Sequence, residues 1–261
     1  MKIFINTDSY KKRAIKTEKE LTQYCKEFDI EIVDDIEESD MVFSIGGDGT
    51  FLKTARLSSK PIIGINAGTL GFLTEINPED LKPALKDIVN HNYHIENRMM
   101  LEGEIQKANG EIIKIPKSLN EIAVSKNILG VVRFDVIVND KFITSYTADG
   151  IIICTPTGST AYNVSCGGPV VDPTAEIITV TPLAPHSIIN RSIILSENSI
   201  IEIKITEVRD NTHSYVLYDG IPVEVKSGDS VKIYKSQRKT EIIKIDDSSF
   251  IKTINQKISL Q

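Results

Sequence analysis

The stretch that most constrains this chain is the apolar run Met41-Val42-Phe43-Ser44-Ile45, which breaks directly into Gly46-Gly47-Asp48-Gly49-Thr50. The run predicts a buried strand, and the glycines predict a tight turn with a helix starting at about Thr50. Glycines leave backbone amides uncovered, and amides at the head of a helix, helped by its dipole, suit a phosphate. A carboxylate in such a loop needs another task. Asp48 would repel a polyphosphate, so it binds a metal, accepts a proton or holds a sugar hydroxyl. A plain strand-to-helix turn with Asp48 near an N-cap position accounts for the same residues without a ligand.

The surrounding sequence alternates strand and helix patterns up to about residue 95. Lys2-Ile3-Phe4-Ile5, Ile30 to Val33, Met41 to Ile45 and Pro61 to Ile65 read as strands. Tyr10 to Phe28 places Ala14, Leu21, Cys25 and Phe28 on one helical face, and Phe51 to Leu57 and Pro78 to Val89 read as further helices. Such alternation favours a parallel sheet covered by helices, with ligands at the carboxyl ends of its strands. From about residue 99 the pattern changes to short strands. Leu101 to Lys107 and Glu111 to Lys117 flank Asn109-Gly110, a hairpin signal. Val132 to Val138 turns at Asn139-Asp140 into a return strand from Phe142, and similar runs follow to Tyr234. The expected fold is therefore α/β plus all-β: a Rossmann-like parallel α/β domain over residues 1–98 and a β-sandwich over 99–240. Residues 241–261 form a C-terminal segment that could pack back on the first domain.

Composition narrows the function. A net charge of −6 over 261 residues argues against broad nucleic-acid binding, and Lys11-Lys12-Arg13 reads as the solvated face of a helix. No apolar run approaches the ~18 residues of a membrane helix, and the first residues lack the apolar core of a signal peptide. Cys25, Cys154 and Cys166 are odd in number and widely spaced, which fits a cytoplasmic protein with no disulfide framework. His91, His94, His186 and His213 show no metal-ligand spacing.

Two more segments carry chemistry. Asn66-Ala67-Gly68-Thr69-Leu70-Gly71-Phe72 follows a strand and would emerge on the same sheet edge as the Asp48 loop. Thr155 to Pro169 is dense in hydroxyls and small residues, which suit recognition of a base or amide, and Tyr162 offers a stacking face. Either segment alone could be an ordinary loop. Asp149-Gly150 and Asn120-Glu121 each precede an apolar run, where a carboxylate could cap a turn or hold sugar hydroxyls.

Taken in order, GGDGT at Gly46–Thr50, NAGTLGF at Asn66–Phe72, Asn120-Glu121, Asp149-Gly150, TPTGSTAYNVSCGGP at Thr155–Pro169, PLAPH at Pro182–His186 and Asn190-Arg191 resemble the bacterial NAD kinases. The resemblance spans almost the whole chain. GGDGT alone is shared with lipid kinases, and the long Thr155–Pro169 motif is the specific part. The family's activity is transfer of a phosphoryl group from ATP or polyphosphate to the 2′-hydroxyl of NAD's adenosine ribose, with Mg²⁺ or Mn²⁺, in a homotetramer or homodimer.

Carried over residue by residue, the resemblance makes Asp48 the base, with Gly49 beside the dinucleotide and Lys53 near its phosphates. Gly46, Gly47, Gly49 and Thr50 form the phosphate loop. Asn120 and Glu121 hold the adenosine ribose region, and Phe72 packs on the ligand. Thr160, Ala161, Tyr162, Asn163, Ser165 and Ala184 line the NAD pocket, and Asp149 reaches NAD from a neighbouring subunit. The chain departs from the family at Thr147, where a basic residue is common, and at Ile221, where Asp219-Gly220 is usually followed by Gln. Alternative readings are a lipid or sphingoid-base kinase sharing the GGDGT loop, and a non-catalytic NAD(P) sensor.

Overall fold

The computed structural model describes residues 1–68, 71–127, 130–187, 190–208, 213–245 and 250–259. The chain forms two compact units, one of residues 1–98 with 240–261 and one of residues 99–239.

The first unit is an α/β domain. Strands β1 (Lys2–Thr7), β2 (Glu31–Ile32), β3 (Met41–Gly46) and β4 (Ile62–Asn66) lie in the order β2-β1-β3-β4, all parallel. Helices α1 (Lys12–Glu27) and α2 (Asp48–Leu57) lie between them in the chain, and α3 (Leu81–Val89) follows β4. On α1 the residues at three- and four-residue spacing, Ala14, Thr17, Leu21 and Cys25, are the buried ones, and on α3 they are Leu81, Ala84, Leu85 and Ile88. These faces pack with Ile3, Phe43, Ile45, Ile63 and Ile65 into one core. Every residue of β3 is buried, as expected of a strand covered on both faces. Among the described residues no helix is long and apolar enough to cross a membrane.

The second unit is an antiparallel β-sandwich. Strands β5 (His94–Gln106) and β6 (Ile112–Ser118) form the Asn109-Gly110 hairpin, with Gly110 at φ +90°. One sheet pairs β8 (Val132–Val138) with β9 (Lys141–Ala148) and with β13 (Ile201–Val208), which in turn pairs β16 (Ser230–Lys244). The other runs in the order β12 (Ile193–Ser196), β11 (Ile177–Leu183), β10 (Gly150–Cys154), β7 (Glu121–Lys126), β14 (Ser214–Tyr218), β15 (Ile221–Val225). Alternate residues Val132, Phe134, Val136 and Val138 of β8 meet Ile122, Val124, Ile151 and Ile153 of the facing sheet. The intervening residues Ala123, Ile152 and Cys154 are buried as well, in a smaller cluster with Leu183 and the half-buried Cys166. That second burial requires a cover over the outer face of β7 and β10.

Residues 240–261 belong to the first compact unit. Strand β16 is continuous from Ser230 to Lys244, its Ile242 pairs in parallel with Ile62, and Ile243 joins the α/β core. The last helix, α5 (Phe250–Ser259), places the Phe250 ring 6.3 Å from that of Phe72.

Candidate functional site

In the first unit the glycine loop is shaped by helix α2, which starts at Asp48 rather than at Thr50. Gly47 is its N-cap and makes no side-chain cap bond, so Asp48 stands in the first turn. Its carboxylate reaches across to the next loop: Oδ2 accepts from the Phe72 N–H at 3.0 Å and Oδ1 from the Leu73 N–H at 3.1 Å. A Cβ at Gly71 would lie 2.1 Å from Asp48 Oδ1, so the second loop approaches the carboxylate as closely as glycine allows. Gly46 is required in the same way, because a Cβ there would lie 2.2 Å from Thr50 Oγ1. Gly49, exposed at the head of the helix, has open space where a side chain would be. The middle of the second motif, Thr69-Leu70, lies outside the described residues.

Beside this loop is a cleft of about 300 Å³ lined by Asn6 to Lys11, Gly49, Thr50 and Lys53. Lys11 was expected on a solvated helix face. The structure places it at the N-cap of α1, with Nζ 3.2 Å from Asp8 Oδ2. A Cβ at Gly47 or at Gly68 would lie 3.6 or 3.7 Å from that Nζ, so one ammonium borders both glycine loops. Two lysines, Lys11 and Lys53, thus share a cleft with the helix head. The signal missed in the sequence is that residues following β1 emerge at the same carboxyl edge as those following β3 and β4.

In the second unit, three segments distant in sequence meet at Asn120–Glu121. Asp219 lies in the β14–β15 turn, where Asp219 at φ +44° and Gly220 at φ +82° make the reversal. Its carboxylate accepts from the N–H groups of Leu119, Asn120 and Glu121 at 3.0, 2.9 and 3.3 Å. Opposite, Thr155 donates its hydroxyl to the Leu119 carbonyl at 2.6 Å and its N–H to the Asn120 carbonyl at 2.9 Å. A Cβ at Gly158 would lie 2.1 Å from the same Asn120 carbonyl oxygen, so the motif closes against this corner only as glycine. Asn120 and Glu121 are each 8 % exposed, and Glu121 Oε2 is buried without a protein partner. Burial first, then the charge of Asp219, push the Glu121 carboxyl up to about 8.

The Thr155–Pro169 segment divides into a buried frame and an outward row. Residues 155–159 are buried. Ser159 exchanges hydrogen bonds with the backbone of Val171, donating to its carbonyl and accepting from its N–H. Asn163 is fully buried: its amide donates to the Ser159 and Pro169 carbonyls and accepts from the Thr181 hydroxyl. Thr160 and Ala161 are half-buried, whereas Tyr162 and Ser165, on the short helix α4 (Tyr162–Ser165), are exposed. Tyr162 is 41 % exposed, and partial burial, with the charges of Asp149 and Glu121 among lesser causes, raises its phenol above the usual range. Asp149 is ion-paired with Lys126 at 2.7 Å. Ala184 is exposed at φ +42°, a conformation uncommon for a residue with a Cβ. Among the described residues no three His, Cys, Asp or Glu side chains gather as a metal cluster.

Comparison with known proteins places these features. Residues 5–93 match the ATP-NAD kinase N-terminal domain and residues 119–245 the ATP-NAD kinase C-terminal domain. The NAD kinase of Caldanaerobacter subterraneus subsp. tengcongensis is 40 % identical over 226 residues, covering 85 % of this chain and 79 % of that protein. That of Clostridium botulinum (strain Loch Maree / Type A3) is 38 % identical, covering 98 % of this chain and 95 % of that protein. The crystal structure of an NAD kinase from Archaeoglobus fulgidus in complex with ATP superposes with a TM-score of 0.80 at 26 % identity, covering 97 % of this chain and 98 % of that one. A yeast NADH kinase complexed with NADH shares the fold, with a TM-score of 0.89 at 22 % identity over 100 % of this chain and 88 % of that one.

Proposed function

This chain belongs to the ATP-NAD kinase family and is a phosphotransferase; on that premise we propose that ATP supplies a phosphoryl group to the 2′-hydroxyl of NAD's adenosine ribose, with Asp48 as the base. The observation that carries the assignment is the grip on Asp48. Each carboxylate oxygen accepts one backbone N–H, from Phe72 or Leu73, which fixes the group while leaving further lone pairs to receive a hydroxyl proton. Phosphoryl transfer depends mainly on placement and charge neutralisation. The cleft beside Gly49 and Thr50 offers backbone amides with Lys11 and Lys53, a set that would hold the donor's phosphates.

In the second unit, Asn120, Glu121, Thr160, Ala161, Tyr162, Ser165, Asp149 and Ala184 would bind NAD, and the buried Asn163 would support that surface from beneath. Phe72 would pack on a bound ligand. A divalent ion fits this donor set in one way. With no all-protein cluster among the described residues, Mg²⁺ or Mn²⁺ would be held by the donor's phosphates with at most the Asp48 carboxylate, the mode Mg²⁺ generally adopts. When bound, the ion neutralises phosphate charge. The family resemblance further supports a homotetramer or homodimer, and the free thiols of Cys25, Cys154 and Cys166 suit the reducing cytoplasm.

The test is one incubation of the purified protein with NAD and either ATP or polyphosphate, with Mg²⁺ or Mn²⁺ present and diacylglycerol offered in a parallel arm. NADP is the expected product, with ATP as a competent donor. Tight NAD binding without NADP, or phosphorylation of the lipid instead, would overturn the reading.

A further inference from the structure

The two amides that grip Asp48 belong to a short stretch that is fastened by two different parts of the chain. Strand β4 holds it through the Gly64 carbonyl, which accepts from the Glu75 and Ile76 N–H groups at 2.8 and 3.1 Å. A Cβ at Gly64 would lie 2.6 Å from the Leu73 carbonyl oxygen, so the two backbones approach as closely as glycine allows. Residues 240–261 supply the second fastening. Lys244, at the end of β16, pairs with Glu75 at 2.6 Å, the side chains being only 12 % and 4 % exposed. Phe250, at the start of α5, sets its half-buried ring 6.3 Å from that of Phe72, with the planes inclined by 46°. These two contacts bracket the peptide that presents the Phe72 and Leu73 amides. Helix α5 contributes little to the core: among its described side chains none is fully buried, and Ile251 is 67 % exposed. A helix so lightly covered adds little to global stability, yet the ring it carries lies beside the amides that hold the carboxylate.

We propose that Phe250 is a positioning residue for phosphoryl transfer: packed on Phe72, it fixes the two amides that aim the Asp48 carboxylate. The proposal rests on the reading of Asp48 as the base. A base works only while its oxygens are held within a fraction of an ångström of the proton they take, and that placement is lost when the supporting side chains are loosened. Strand β4 anchors the Leu73 side of the grip through backbone contacts. The Phe72 side depends on a side-chain contact with α5. Removing that ring leaves the Asp48 carboxylate in place chemically but frees one of its two donors to drift.

The experiment is a double-mutant cycle on the intact chain, with NADP formation from NAD and ATP as the readout and a thermal melt of each variant. Phe250→Ala should lower kcat about tenfold to a hundredfold, with the KM values for NAD and ATP within about threefold of wild type and the melting temperature lower by no more than about 4 °C. Phe250→Leu, which keeps an apolar contact with Phe72, should recover kcat to within about threefold of wild type. In the Asp48→Asn background the same Phe250→Ala change should lower the residual kcat by less than about twofold, because the group it positions is already gone. Equal losses from Phe250→Ala in both backgrounds would overturn the proposal, since α5 would then act independently of Asp48. So would a raised KM for NAD with kcat intact, which would make the ring a ligand support only, or a Phe250→Ala chain that does not fold, which would make it core. Turnover like that of wild type in Asp48→Asn alone would remove the base itself, and the proposal with it.

Discussion

The Gly46–Thr50 loop and the Thr155–Pro169 segment are both polar, turn-rich and suited to a nucleotide, yet they are built on opposite plans. In the first, the side chains are nearly absent and the backbone itself forms the surface of the loop. Its one carboxylate, Asp48, is immobilised by the amides of Phe72 and Leu73. In the second, the side chains are abundant and most of them serve the chain itself. Thr155, Ser159 and Asn163 are buried and hydrogen-bonded to neighbouring carbonyls, amides or hydroxyls, while Tyr162, Val164 and Ser165 stand exposed. A hydroxyl-rich stretch is thus mainly a self-bonded scaffold that displays a few residues. The teaching is that polarity in a sequence marks where hydrogen bonds form and leaves open who receives them.

The sharpest way to break this contrast is Asp48→Asn. Loss of the base should lower turnover roughly 10²–10⁴-fold while NAD affinity is largely kept, read as NADP formation against NAD binding. Turnover like that of wild type would remove Asp48 from the chemistry. Next comes Asn163→Ala, which removes the donor to the Ser159 and Pro169 carbonyls and one of the two hydrogen-bond partners of the Thr181 hydroxyl. It should cost about 2–4 kcal/mol in a denaturant melt, and an unchanged midpoint would end the distinction between frame and displayed row. Tyr162→Ala belongs to the displayed row. It should leave that midpoint in place and raise the KM for NAD on the order of tenfold; an unchanged KM would take Tyr162 out of the pocket. The smallest effect is expected from Lys11→Ala, where the KM for ATP should rise about two- to fivefold with the KM for NAD unmoved. A change in the NAD value alone would place Lys11 with the wrong substrate.

Stability should also depend on pH through Glu121. Its carboxyl is raised from 4.5 to about 8, so the folded state holds the proton more tightly than the unfolded chain. That contribution is complete below about pH 4.5 and is lost as pH rises through 8. Thermal melts of wild type should decline across this window relative to Glu121→Gln.

Local periodicity made much of the fold legible. The strand-helix alternation of the first ninety residues and the Val132–Val138 pattern both follow from which face a side chain must bury. Strand β12 escaped the reading because Ile193 to Ser196 is an edge strand, only half covered. The length of β16 escaped because Lys235-Ser236-Gln237-Arg238-Lys239 interrupts its apolar pattern where two hydrophobic stretches join. The helix start at Asp48 was masked by glycines that usually signal a loop. At the site, the motif residues were visible and their supports were not. Asp219 acts on amides about a hundred residues earlier in the chain, and Lys11 stands among charges that resemble a solvated helix. Nothing local in a sequence encodes a partner at that distance.

The strand Ser230–Lys244 also sets a timetable. The α/β unit is interrupted after residue 98 and completed only by residues from 240 onward, with Ile242 bonded beside Ile62 and Ile243 in the core. A ribosome releases the chain from the N-terminus, and domains tend to fold as they emerge. Here the half synthesised first must wait with one edge of its sheet open while the whole sandwich is made. The α/β half is therefore completed only after the sandwich, and truncation a few residues before Ile242 should unsettle strands laid down far earlier in the chain.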